Sequence, residues 1–230
     1  MVISKSVVDP PPQCARRPPC DQVARACTAD PACGWLGNIH NVKEAQSPST
    51  RSPRPDRVPN LIPTLHTERL VLIPPSAACE NLYEAFYTDA AASRLYGGPL
   101  TSGAAWARLA ADIGAWHLQG FGVWAIQRRE QGGLVGTCGF WQGKGWPREL
   151  TWWLLPSARG SGIAHEASLA AVAHAHGVFR WPFVETYMND GNEPARKLAH
   201  RLGGVGTGRR SFPDGIDREV FRIPARNGSE

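Results

Sequence analysis

The sequence predicts an α+β domain, a mixed and mostly antiparallel sheet flanked by helices, behind a disordered N-terminal extension. Three observations predict it. From residue 65 to residue 223, short apolar runs bounded by Gly- and Pro-containing turns alternate with runs of helical period, in the order β-α-α-β-β-β-α-β-α-β-β. Eleven of the twenty prolines fall in residues 1–63, a stretch with no sustained apolar period. Between the apolar run Leu150–Leu155 and an alanine-rich run beginning at Ile163 stands Arg159-Gly160-Ser161-Gly162-Ile163-Ala164, which reads as strand, glycine turn and helix. The chain of 230 residues therefore divides into an extension, residues 1–60, and a folded domain, residues 61–230.

Leu65 to Ile73 reads as a first strand, stopped by Pro74-Pro75. Ser76 to Tyr87 reads as a helix with Leu82 and Phe86 on one face, followed by a turn-rich loop, Arg94 to Thr101, that contains Gly97-Gly98-Pro99. Thr101 can cap a second helix that runs to about Leu118 and stops at Gly120, with Trp106, Leu109, Ile113 and Trp116 on its inner face. Val123–Arg129, Leu134–Trp141 and Glu149–Leu155 follow as an antiparallel meander. The last of these is apolar on both faces and is expected to be central. After the helix from Ile163 to His176 come a strand, Phe183–Met188, and a helix capped by Asn192 and ended by Gly203-Gly204. A closing hairpin spans Val205–Ser211 and Arg218–Ile223.

Net charge is +5, but residues 61–230 carry 17 Lys/Arg against 15 Asp/Glu, a near-neutral body that argues against a nucleic-acid-binding surface. No apolar run approaches the ~18 residues of a membrane span, and the N-terminus has no apolar signal core. A cytoplasmic, reduced protein is expected. Cys14, Cys20, Cys27 and Cys33 are spaced too widely for zinc knuckles, and no metal is expected.

The glycine turn carries the chemistry. Glycines at 160 and 162 let the backbone approach a ligand, and the free N–H groups of the following helix favour an anion, so a phosphate or pyrophosphate is the expected ligand. Arg159 would add a positive fork, and a Cβ at Gly162 would intrude on the phosphate. A dinucleotide fingerprint would need glycine where His165 stands, and a P-loop reading of Gly139–Lys144 has the wrong spacing.

A third design fits position for position. Arg159, Gly162 and Ala164 match the Gln/Arg-x-x-Gly-x-Gly/Ala pyrophosphate loop of GNAT-superfamily N-acetyltransferases. Thr67-Glu68-Arg69-Leu70, Gly97-Gly98-Pro99, Gly122–Ile126, Leu134-Val135-Gly136, Gly139-Phe140 and Asn192 followed by Leu202-Gly203 resemble the branch that acetylates ribosomal-protein alanine or serine N-termini. The resemblance covers residues 64–224. It implies acetyl-CoA as co-substrate in a cleft where two central strands splay apart. Pantetheine would lie along the backbone of Trp152, Trp153 and Leu154, and pyrophosphate on the N–H groups of Gly160, Ser161, Gly162, Ile163, Ala164 and His165. Asn192 would touch the pantetheine or acetyl end. The implied partner is an amine acceptor, a small molecule or a protein N-terminus, with no nucleic acid or membrane. The assembly is left open between monomer and homodimer.

Acetyl transfer to an amine calls for a base and for help to the leaving thiolate. Glu149, opening the third meander strand in an apolar stretch that would raise its pKa, is the candidate base; the competing reading is a carboxylate facing water at a strand end. Many members of the family place a tyrosine seven residues after the asparagine, where this chain has Ala199, so Tyr187, a water or the thiolate itself must serve. The competing function is a non-catalytic acyl-CoA-binding regulatory module.

Other residues read more plainly. Trp152 and Trp153 suit core and cleft wall, and Trp124, Trp141 and Trp146 are open between core and acceptor pocket. His165, His174 and His176 share no ligating face, and Cys138 suits a buried small residue. Arg196, Lys197 and Arg201 read first as a solvated basic stripe, with a cofactor phosphate as the alternative partner for one of them.

Overall fold

The computed structural model describes residues 62–225, so the expected disordered extension with its four cysteines lies outside the described residues. The chain runs β1 (Leu65–His66), β2 (Leu70–Ile73), α1 (Glu80–Tyr87), α2 (Ala90–Ser93), α3 (Ser102–Gln119), β3 (Val123–Arg128), β4 (Leu134–Trp141), β5 (Glu149–Leu154), α4 (Ile163–Gly177), β6 (Phe183–Met188), α5 (Glu193–Arg201), β7 (Val205–Ser211) and β8 (Asp217–Pro224). It is an α+β fold whose antiparallel strands are flanked by helices, as the pattern of the sequence implies.

Helix starts follow local chemistry. The Thr101 hydroxyl accepts from the Ala104 N–H at 3.3 Å, and the Asn192 side-chain oxygen accepts from the Ala195 N–H at 3.3 Å, satisfying donors that a helix start leaves open. Asp89 does the same for α2, a short helix the sequence reading lacked, through the Ala92 N–H at 2.7 Å. The helix expected from Ser76 begins as a 3-10 turn and becomes α-helical at Glu80.

The single strand expected over 65–73 is two strands. Thr67 donates its N–H to the Leu70 carbonyl at 3.0 Å, and its hydroxyl accepts from the Leu70 N–H at 3.0 Å. A side chain that replaces a ladder partner in this way turns the chain back, so Leu65 pairs with Leu72 across the bend.

The strands form two ladders, β1-β2-β3-β4-β5 and β6-β8-β7, and every pair is antiparallel. The expected single mixed sheet is thus divided: β5 and β6, joined by the crossover helix α4, stay adjacent but share no ladder. β5, expected to be central, is the edge of its ladder. It still reads as apolar throughout because both its faces are covered. Leu150, Trp152 and Leu154 join the core beneath α4 with Ala167 and Ala171. Trp153 points the other way, stacked on Phe86 at 4.1 Å and edge-on to Tyr83 at 5.2 Å. β4 approaches β5 so closely that a Cβ on Gly136 would lie 2.1 Å from the Trp153 carbonyl oxygen, which accounts for one glycine of the sequence pattern.

One helix face was misassigned. α3 buries Ala105, Leu109, Asp112 and Trp116, whereas Trp106 is 48% exposed. One residue is 100° of helix, so a position next to the true stripe falls off the core. Asp112 is tolerated inside because the Tyr83 hydroxyl donates to it at 2.8 Å.

Candidate functional site

The split between the ladders leaves open backbone along β5, and a cavity of about 390 Å3 sits beside it. Its floor is Trp152 and Leu154. One wall is the turn and first residues of α4, the second is one face of α5 from Pro194 to Arg201, and the third is α2 with the residues that follow it.

The turn is built as the sequence implies. Gly160 has φ +76° and Gly162 φ +81°, a region that L side chains rarely adopt. α4 then leads away from the cavity, so its first N–H groups, which no earlier carbonyl can accept, end at the ligand side. Gly160, Gly162, Ile163, Ala164 and His165 line the cavity, as does Asn192. Asn192 is 3% exposed, and its Nδ2 is buried with no partner. A buried donor costs ~1–3 kcal/mol when unsatisfied, so it is suited to a ligand acceptor.

Electrostatics point the same way. Arg94, Arg159, Lys197 and Arg201 line the cavity, and no Asp or Glu does. Lys197 and Arg201 line the cavity, whereas Arg196 pairs with Glu193 and Glu219. A polyanionic ligand fits this donor set, and coenzyme A with its phosphates is such a ligand.

Several sequence assignments change. Arg159 is not a free fork: its Nε donates to the Leu154 carbonyl at 3.1 Å and Nη2 to the Ala92 carbonyl at 2.9 Å, tying the turn to β5 and α2. Ser161 and Trp153 do not line the cavity. The Ser161 hydroxyl donates to the Ala158 carbonyl at 2.9 Å, and its own carbonyl accepts from Arg69 at 3.0 Å. A Cβ at Gly162 would meet Arg69 Nη2 at 3.3 Å, so it would face the back of the turn and not the ligand.

The back of the turn is braced by a network that gives the Thr67–Leu70 pattern its reason. Glu166, in the first turn of α4, accepts from the Thr67 hydroxyl at 2.6 Å, the Arg69 N–H at 2.9 Å and Arg69 Nε at 2.6 Å. Burial alone would raise the Glu166 carboxyl, but these donors together hold it below its ordinary value.

The two candidate catalytic residues are brought together, though neither lines the cavity. Glu149 is fully buried, which removes the reading of a strand-end carboxylate facing water. Tyr187 on β6 lies near it across the split, and burial first, then the Glu149 charge, holds the Tyr187 phenol far above its ordinary value. Glu149 stands three residues before Trp152, roughly 10 Å along the strand. Trp146 and Phe212 cover Tyr187, with Trp146 stacked at 6.3 Å and Phe212 at 4.2 Å, and Trp141 meets Trp146 at 5.8 Å. Trp124, left open by the sequence, is core: it is fully buried and donates to the Pro63 carbonyl at 2.7 Å.

Cys138 is a buried thiol 3.5 Å from the Ser168 hydroxyl, pushed up to about 12 by burial and so held unreactive. His176 Nδ1 meets the Trp181 carbonyl at 2.7 Å and His174 packs against Trp124 and Phe179. Among the described residues no His, Cys, Asp or Glu cluster is placed to hold a metal, and no helix is long and apolar enough to cross a membrane. Sequence reasoning missed Arg94 and Tyr96. Only a cation and an aromatic in an otherwise small-residue stretch could have marked them.

The family model described as acetyltransferase (GNAT) domain matches residues 69–205. An acetyltransferase from Agrobacterium tumefaciens is 31% identical over 70% of this chain and 94% of its own, with a TM-score of 0.64. At the level of fold alone, two more distant structures are similar. RimL, a ribosomal α-N-protein acetyltransferase in complex with coenzyme A, is 12% identical over 70% of this chain and 98% of its own, with a TM-score of 0.55. MccE, a microcin self-immunity acetyltransferase in complex with acetyl-CoA and AMP, is 11% identical over 72% and 98%, with a TM-score of 0.56. A search of curated protein sequences returned no match.

Proposed function

This chain belongs to the GNAT acetyltransferase family, with acetyl-CoA as co-substrate, and we propose that it transfers the acetyl group to a primary amine with Glu149 as the base. The observation that carries the proposal is the cavity at the split between β5 and β6, which joins a helix N-terminus, a cationic wall and the orphan Asn192 donor at one end of a strand that starts at a buried carboxylate. When bound, acetyl-CoA supplies an activated acetyl thioester. The chain's residues do the rest. The N–H groups of the turn and of the first residues of α4, with Lys197 and Arg201, hold phosphate, and Asn192 Nδ2 donates to a carbonyl of the pantetheine or acetyl end. The edge of β5 at Trp152 to Leu154 offers backbone partners to an extended amide chain, which would share the Trp152 and Leu154 carbonyls with the Tyr96 hydroxyl and Arg159 Nε. Glu149 takes the first proton that the incoming ammonium must lose, directly or through the Tyr187 hydroxyl. After attack the carbon–sulfur electron pair leaves on sulfur, which takes up the second proton lost by nitrogen and departs as the coenzyme A thiol, and the split fixes the two reactants side by side.

The acceptor is a small amine or a protein N-terminus. A reducing, cytoplasmic setting suits the free thiols Cys79 and Cys138. The competing reading, a non-catalytic acyl-CoA-binding module, separates cleanly from this one by experiment. Acetyl-CoA at 100 times its dissociation constant should stabilise the protein by ~2.7 kcal/mol in a thermal scan. With an amine panel, Glu149→Gln should lower turnover by ~100-fold while leaving that stabilisation intact. Stabilisation without turnover on any amine would favour the binding module. No stabilisation would remove both.

A further inference from the structure

One face of the β6-β8-β7 ladder is packed and the other is not. Val184, Met188, Phe221 and Ile223 point into the core shared with α4 and α5. Side chains alternate along a strand, so the opposite face carries Glu185 and Tyr187 of β6, Arg218 and Arg222 of β8, and Arg210 of β7. Glu185 and Arg222 are direct cross-strand partners, joined at 2.9 Å, and Arg210 reaches the same carboxylate at 3.3 Å. Arg222 also lies over the Phe183 ring at 3.8 Å, and Arg210 over the Phe212 ring at 5.3 Å. Arg148, next to Glu149 in the chain, lies over Trp181 at 3.4 Å and faces the Glu185 charge from across the split. Arg218 is buried and already paired with Asp214. Among the described residues, then, Arg148, Arg210 and Arg222 share the carboxylate of Glu185. Its side chain is 10% exposed, against 44% for Arg210 and 47% for Arg222, so the surface presented to water is cationic. This face runs on to the candidate base. Trp141 pairs with Glu149 across β4 and β5, its ring meets Trp146 at 5.8 Å, and Trp146 meets Tyr187 at 6.3 Å and Phe212 at 5.7 Å.

We propose that this outer face docks the acceptor, and that the acceptor is a peptide with a free N-terminal amine and carboxylate side chains a few residues behind it. The proposal rests on acetyl transfer at Glu149. The ladder sets the spacing. Glu185 and Arg222 lie two residues along it from Tyr187 and Val220, roughly 7 Å at the strand rise. An extended peptide with its amine at the Glu149 and Tyr187 end therefore brings its side chains at about positions three to five over Arg210 and Arg222. Each guanidinium gives one prong to Glu185 and keeps donors for a second carboxylate, a pairing the planar fork of arginine favours. A small amine reaches the base but not this patch. A nucleic acid meets the same cations but brings no aliphatic amine to Glu149. The acidic peptide is the partner that uses both ends.

The test compares three acceptors with acetyl-CoA as donor. Two are short synthetic peptides, alike except that positions three to five are Asp and Glu in one and Asn and Gln in the other. The third is a simple alkylamine. At low salt the acidic peptide should show a kcat/KM at least about fivefold above the neutral one, as expected for two or three exposed ion pairs. The difference should lie in KM, because docking contacts are the same in ground and transition states. It should shrink below about twofold between ~10 mM and ~1 M salt, as the screening length falls from ~30 to ~3 Å. The double variant Arg210→Gln, Arg222→Gln should lose the preference and keep its rate on the neutral peptide and the alkylamine. Glu185→Gln, which removes the opposing charge, should raise the preference at least about twofold. Equal kcat/KM for the two peptides at low salt, or transfer to the alkylamine alone, overturns the proposal and leaves acetyl transfer standing. A preference that the double variant retains, or that Glu185→Gln lowers, also overturns it. So does a single-stranded oligonucleotide that displaces the acidic peptide at concentrations below its KM, which would make the face a general polyanion surface. No transfer to any of the three refutes acetyl transfer itself, and the proposal falls with it.

Discussion

Glu166→Gln probes the brace behind the phosphate turn. Glu166 Oε1 accepts from the Thr67 hydroxyl and the Arg69 N–H, and Oε2 accepts from Arg69 Nε. Glutamine can keep the first oxygen but sets an NH2 group against Arg69 Nε, donor facing donor. One charge-assisted bond is lost and two become neutral. The Arg69 side chain is 52% exposed, so the ion-pair share is discounted to the surface range, and a total loss of ~1–2 kcal/mol follows. For a domain of this size that lowers Tm by roughly 3–6 °C. The sign with pH is fixed by the depressed carboxyl of Glu166. Its contribution is complete above the unfolded value, about 4.3 for an ordinary glutamate, and is lost as pH falls through the lower folded value. Thermal unfolding of both proteins should show the full gap at neutral pH and a closing gap in acid. Coenzyme A affinity should fall as well, because Arg69 Nη1 also holds the Ser161 carbonyl at 3.0 Å. A gap of the same size at both pH values, or none at neutral pH, would refute the reasoning.

Gly162→Val should weaken coenzyme A binding at least ~10-fold, and the domain should still fold at a cost of about 1–3 kcal/mol. A β-branched residue at φ +81° is strained, and its Cβ would press on Arg69 at 3.3 Å; titration and thermal unfolding read the two effects, and near-normal affinity would mean the turn is not the phosphate site. Asn192→Asp keeps an oxygen for the Ala195 N–H but sets a carboxylate at a buried position, so it should cost about 1–3 kcal/mol of stability, and replacing the orphan Nδ2 donor should lower coenzyme A affinity several-fold or more. Unchanged affinity in a calorimetric titration would show that Nδ2 meets no ligand atom.

The sequence by itself determined most of the elements, though not α2 or the break between β1 and β2, and it determined the caps and the glycine turn. These rest on local causes: Thr101 and Asn192 cap because their side chains reach N–H groups three residues on, and Gly160 and Gly162 turn because they carry no Cβ. The pairing of Glu149 with Tyr187 was legible only as two separate candidates. Only the tertiary structure decided that the sheet divides at β5, that Arg159 serves carbonyls of Leu154 and Ala92, and that Glu166 holds Arg69, 97 residues away in the chain, against the back of the turn. It alone set Tyr96 over the Trp152 carbonyl, 56 residues along the chain. A residue's type and period record which face it buries, but they carry no record of which distant backbone group it will meet, because that partner is fixed only when the layers pack.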